Sequence, residues 1–107
     1  MADNLNKVNE LIEKMKAVLP ISVYPTNKIC HSLKNDNGVR LKPKQSLKIK
    51  DIMYMGNEGG ICCAISIKND EELLMISLTH LRIKGIHPLS KEIKKYQIKR
   101  IRALANI

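Results

Sequence analysis

The sequence predicts a mainly β domain with flanking helices: a small, strongly bent antiparallel barrel between an N-terminal helix and a C-terminal basic amphipathic helix. Three observations predict it. Residues 47–83 hold three runs of alternating apolar and polar residues joined by short polar turns, the pattern of an antiparallel meander with one face in a core. Residues 5–19 and 89–104 instead repeat apolar residues at helical spacing. The chain has 107 residues, 44% of them hydrophobic, enough for one core and too few for two. A single domain 1–107 follows, divided into a helix at 4–19, the barrel at 21–87 and a helix at 88–105.

The first helix is set by Leu5, Val8, Leu11, Ile12, Met15, Val18 and Leu19, which form one apolar stripe. Asp3 or Asn4 is placed to cap it, and Pro20 ends it by disfavouring helical backbone in the residue before it. Ile21 to Tyr24 alternates like a short strand. Lys28 to Lys34 and Val39 to Lys42 flank Asn37-Gly38, a pair suited to the positive φ of a hairpin turn. Leu47–Met55, Gly60–Ile67 and Glu72–Ile83 then read as the meander, with turns at 56–59 and 68–71. Its alternation places Ile49, Met53, Ile61, Cys63, Ile65, Ile76 and Leu78 in the core. In the last helix, Leu89, Ile93, Tyr96, Ile101 and Leu104 fall on one side. Lys91, Lys94, Lys95, Lys99 and Arg102 fall opposite, within an arc of roughly 140°.

The formal charge is +9, from 19 Lys and Arg against 10 Asp and Glu. It is unevenly spread. Residues 1–27 are neutral, 28–50 carry +6, 51–86 carry −2 and 87–107 carry +5. Segregation of this kind is the electrostatic footprint of a polyanion binder, since each neutralised phosphate releases condensed counterions. The competing reading is a solvated lysine face that maintains solubility. Three tyrosines are the only aromatic residues, which argues against a multi-base stacking platform of the RRM type, since that needs several exposed rings on one sheet.

No enzyme hypothesis has a complete set of parts, and no catalytic residue, metal ligand or cofactor is assigned. Cys62 and Cys63 are adjacent on a strand and so point to opposite faces, with no second ligand pair at zinc-site spacing. Cys30, His31, His80 and His87 are scattered between elements. The Gly56–Gly60 segment joins two strands and lacks the Lys-Ser/Thr ending of a phosphate loop. Three cysteines suit no disulfide framework. No apolar run approaches the ~18 residues of a membrane span, and no signal-like segment opens the chain. A cytoplasmic protein without membrane association is expected.

The order helix, bent meander, glycine after the last strand resembles the Sm-like proteins, small barrels that assemble into RNA-binding rings. Gly60-Ile61-Cys62-Cys63-Ala64-Ile65 is similar to the family's first motif, with Asn69 and Asp70 in the turn where that motif presents polar residues. Ile83-Lys84-Gly85 resembles the Ile-Arg-Gly of the second motif, with Lys84 in place of arginine. A generic SH3-like barrel fits the same strand pattern. The resemblance implies edge-to-edge pairing of subunits into a homo-oligomer or ring, with Asn69 and Lys84 at RNA. Combined with the charge map, the expected function is a non-enzymatic nucleic-acid-binding module, RNA before DNA. Its site residues are Asn69, Lys84, Lys91, Lys95, Lys99 and Arg102. The alternative is an oligomeric protein-interaction scaffold whose lysines are merely solvated.

Overall fold

The computed structural model describes residues 5–67 and 72–105. Helix α1 spans Leu5–Lys16, strand β1 Ile21–Pro25, helix α2 Asn27–Asn37, β2 Leu47–Tyr54, β3 Ile61–Ile67, β4 Glu72–Ser77, β5 Leu81–Ile83 and helix α3 Ser90–Ala105. Two 3-10 turns, 56–58 and 78–80, link β2 to β3 and β4 to β5. The strands form one antiparallel sheet in the order β4-β3-β2-β1-β5. Helical residues outnumber strand residues, so the molecule is mixed α/β rather than mainly β.

Strands β4 and β5 are the two edges, yet only residues 78–80 separate them in sequence. In a flat sheet, strand spacings of ~4.8 Å would hold these edges roughly 19 Å apart. The four residue steps from Ser77 to Leu81 reach at most about 14 Å when fully extended, and less in a 3-10 turn. The sheet must therefore bend strongly. It is not closed into a barrel, because no β4–β5 ladder joins its edges.

The concave side of this sheet and all three helices supply one core. Val8, Leu11, Ile12 and Met15 come from α1, Cys30 and Leu33 from α2, and Ile93 from α3. They pack against Ile21, Val23, Leu47, Ile49, Ile52, Ile61, Cys63, Ile65, Ile76, Leu78, Leu81 and Ile83. Six of the seven expected core residues are buried. Met53 is not; it is 46% exposed. The β2–β3 register shifts between Ile49 and Asp51, and this bulge inverts the alternation beyond it. Ile52 then faces inward and Met53 outward.

Three other expectations are corrected. Residues 28–37 form no hairpin arm but helix α2, with Thr26 Oγ1 accepting from the Ile29 amide at 3.3 Å and Gly38 ending it at φ 68°. The left-handed conformation that Asn-Gly offers a hairpin also terminates a helix. The spacing Ile29, Cys30, Leu33 favours the helix, since it gathers three apolar residues on one side. Residues 72–83 are not one strand; the 3-10 turn divides them, so Gly85 follows the short β5 rather than a long strand. Finally, α1 ends at Lys16, before Leu19 and Pro20. Asp3, Asn4 and residues 68–71, where the sequence predicts a turn that holds Asn69, lie outside the described residues.

Candidate nucleic-acid interface

The α3 helix is fixed to the sheet by polar as well as apolar contacts. Ile93 is buried, with Leu89 and Tyr96 packed against the core. One turn on, Gln97 Nε2 donates to the carbonyls of Leu78 and Leu81, both at 2.7 Å. It thereby satisfies carbonyls at the two ends of the 3-10 turn that carries the chain across the sheet. The Tyr96 hydroxyl accepts from the Ile61 amide at 2.9 Å. Arg100, only 2% exposed, donates from Nη2 to the Asn57 carbonyl at 3.1 Å. The inner face of α3 is thus Ser90, Ile93, Gln97 and Arg100, flanked by Leu89 and Tyr96.

This differs from the expected apolar side. Leu89, Ile93 and Tyr96 are placed as expected, but Ile101 and Leu104 remain exposed. Gln97 and Arg100 take inward positions that apolar spacing alone does not reveal. Their signal in the sequence is positional: both fall within the apolar arc of α3, where a polar residue needs a buried partner.

With that face turned inward, Lys91, Lys94, Lys95, Lys99 and Arg102 are turned outward, surrounding Ile98 in one shallow hollow. All five cations are exposed. The row from Lys91 to Arg102 runs eleven residues, or about 16 Å at 1.5 Å per residue. Glu92, the acid within this segment, is directed to α1: Lys14 Nζ donates to its two carboxylate oxygens at 3.0 and 3.1 Å. Both partners are solvated, so the pair adds little stability. Its consequence is electrostatic, since the carboxylate is matched by a lysine outside the row.

The structure brings Lys91, Lys95, Lys99 and Arg102 together and places Lys84 elsewhere. Lys84 is exposed just after β5 and does not line the α3 hollow. Asn69 is outside the described residues. The sulfur chemistry is subdued. Burial raises the pKa of all three cysteines, Cys63 to about 12, with the Cys62 charge adding to burial there. Arg100 partly offsets the rise at Cys62. Their thiols therefore stay protonated near neutral pH, the unreactive form. Among the described residues no three metal-ligating side chains converge, and no helix is long and apolar enough to cross a membrane. No protein-family model, curated protein or solved structure matches this chain.

Proposed function

We propose that this chain is a non-enzymatic nucleic-acid-binding module that grips phosphates with the outer face of α3, RNA before DNA. The observation that carries the reading is the row Lys91, Lys95, Lys99 and Arg102. It is held outward by the Gln97 and Arg100 anchors, and no ion pair joins it to a carboxylate among the described residues. Like charges one helical turn apart repel by a few tenths of a kcal/mol per pair in an isolated helix. A polyanion converts that repulsion into attraction.

The preference for RNA rests on the Sm-like reading of the sheet. The order β4-β3-β2-β1-β5 with a single 3-10 turn spanning the two edges supports a small barrel of SH3-like or Sm-like type. Among the described residues the outer side of β4 pairs with no strand, which supports a homo-oligomer, with a ring as its closed form. On β5, however, the outward Leu81 carbonyl is already taken by Gln97 and Arg82. The module works without a cofactor and in the cytoplasm on this reading. Lys84 and Asn69 contact RNA in the same reading.

The test is a salt series on a fluorescent oligonucleotide. Affinity should fall linearly with salt on log–log axes, with a slope near −0.7 per neutralised phosphate for a single strand and −0.9 for a duplex. Absence of binding at ~50 mM salt would refute the module. Light scattering at high micromolar protein tests the assembly, and a monomer there would remove the Sm-like form. One observation favours the scaffold instead. Met53, Leu73 and Met75 are exposed on the convex side of β2 and β4, and an apolar sheet face suits a protein partner.

A further inference from the structure

A second cluster of cations lies away from α3, at the corner where β1, α2 and β5 meet. Tyr24 on β1 stands directly opposite Arg82 on β5, so their side chains are cross-strand neighbours on the convex side of the sheet. The Arg82 guanidinium is held in place: Nη1 donates to the carbonyls of Thr79 at 3.0 Å and Leu81 at 2.9 Å. The His80 carbonyl accepts from the Thr26 amide at 3.0 Å, which ties this corner to the first turn of α2, where Lys28 sits exposed. Lys28 from α2, His80 from the 3-10 turn and Arg82 from β5 thus belong to one corner, where the charges of Lys28 and Arg82 both act on His80 and Tyr24 lies across from Arg82. Among the described residues no carboxylate is paired with Lys28 or Arg82. Lys48, opposite Ser22 on the same convex side, and Lys84, just past β5, extend the positive field.

We propose that Tyr24, Lys28, His80 and Arg82 form a phosphate-binding site, separate from the α3 row, that takes the phosphate of a nucleotide. A guanidinium already anchored on two carbonyls loses little freedom on binding, and its remaining edge matches a phosphate oxygen pair. Lys28 adds a mobile point charge. Tyr24, on the same side of the sheet as Arg82, provides a flat ring that a base or sugar packs on. His80 completes the set as a donor. Its pKa lies below the ordinary 6.5, through burial first and then the charges of Lys28 and Arg82. A bound phosphate supplies the negative charge that this arrangement lacks and raises the His80 pKa.

Proton NMR of the three imidazoles tests this, with His31 and His87 as internal controls. Inorganic phosphate is exchanged for chloride at constant ionic strength. The midpoint of His80 should rise by at least half a pH unit while those of His31 and His87 stay in place. Lys28→Gln, an exposed change that spares the fold, should abolish the rise and weaken phosphate affinity at least tenfold. Arg82→Lys should do the same despite keeping the charge, because the anchored fork is lost. Adenosine 5′-monophosphate and a short oligonucleotide without a terminal phosphate then separate the two sources. Tighter binding of the first identifies a free nucleotide, and of the second a strand backbone. A His80 midpoint unmoved by all three probes would overturn the site, as would equal movement of all three histidines. Lys95→Glu with Lys99→Glu should leave the His80 response intact, so failure at either surface is distinguishable from failure at the other.

Discussion

The guanidinium of Arg100 occupies the space a side chain on Gly60 would need. A Cβ built on Gly60 would lie 2.7 Å from Arg100 Nε and closer still to the Tyr96 hydroxyl, and the residue sits at φ 63°. Glycine is required here twice over, by conformation and by the approach of α3. The residue just before β3 is thereby the seat of the helix that carries the basic row.

Gly60→Ala should therefore loosen α3 while leaving every residue of the helix unchanged. Left-handed backbone costs an alanine about 1–2 kcal/mol, and displacement of Tyr96 and Arg100 adds to it. Urea melts should show a loss of at least about 2 kcal/mol, with amide exchange rising first in α3. A melt matching the parent protein would show that α3 does not rest on Gly60.

Gln97→Leu isolates the other anchor. The substitution keeps the bulk but leaves the Leu78 and Leu81 carbonyls without the Gln97 amide. Each carbonyl keeps a second donor, the Leu81 amide at Leu78 and the Arg82 guanidinium at Leu81, so the loss is that of two hydrogen bonds at about 0.5–1.5 kcal/mol each, read by denaturant unfolding. Leucine in place of a glutamine that served only as filler would instead be neutral or stabilising.

The positions that the sequence makes legible are those governed by local period alone. The spacing of Lys91, Lys95, Lys99 and Arg102 needs only 3.6 residues per turn, and those cations do share one exposed face. The inward set Ile61, Cys63, Ile65 follows from period two. Long-range effects are not legible in this way. Asn37-Gly38 serves a helix end as readily as a hairpin, and the choice depends on whether Leu33 finds a core. The break at 78–80 arises because the chain must cross from one sheet edge to the other, a demand no alternation expresses. The pairing of Tyr24 with Arg82 needs the β1–β5 register, joining residues far apart in the chain.

The bulge in β2 yields a paired prediction. Ile52 is buried and Met53 exposed, opposite to uninterrupted alternation. Ile52→Ala should cost about 2–5 kcal/mol, as for other truncated core aliphatics. Met53→Ser should stay within about 0.5 kcal/mol in the monomer. Thermal melts of the two variants decide the register: the reverse order of effects would place the inserted residue elsewhere.

Stability should also depend on pH through His80. Its folded pKa is depressed below 6.5, burial first and the Lys28 and Arg82 charges next. As pH falls through 6.5, the unfolded chain takes up a proton that the native site resists, so this contribution is present above that value and lost below it. Urea melts between pH 7.5 and 5 should show a smaller acid loss in His80→Gln than in the parent. Equal slopes would mean that His80 is as easily protonated when folded as when unfolded. Phosphate added to the parent should shrink the acid loss too.

The charge reversal of α3 is the sharpest test of the nucleic-acid reading. Lys95→Glu with Lys99→Glu changes two solvated side chains in the middle of the row, and neither belongs to the inner set that anchors the helix. Both residues keep good helix propensity, and the new carboxylates stand among Lys91, Lys94 and Arg102, where unlike charges attract. Folding should be unaffected, with melts within about 0.5 kcal/mol of the parent. Binding should respond in two ways at once. Affinity for a labelled RNA should drop by at least tenfold at low salt, and the log–log salt slope should shrink by roughly 0.7 for each single-strand phosphate that is no longer neutralised. The two readouts guard each other, because a misfolded variant would lose affinity together with its melt. Lys84→Ala should change base preference more than overall affinity if the Sm-like reading of its turn holds. A folded double variant that binds RNA with the parent's affinity and slope would remove α3 as the interface and leave its lysines as a solvated face.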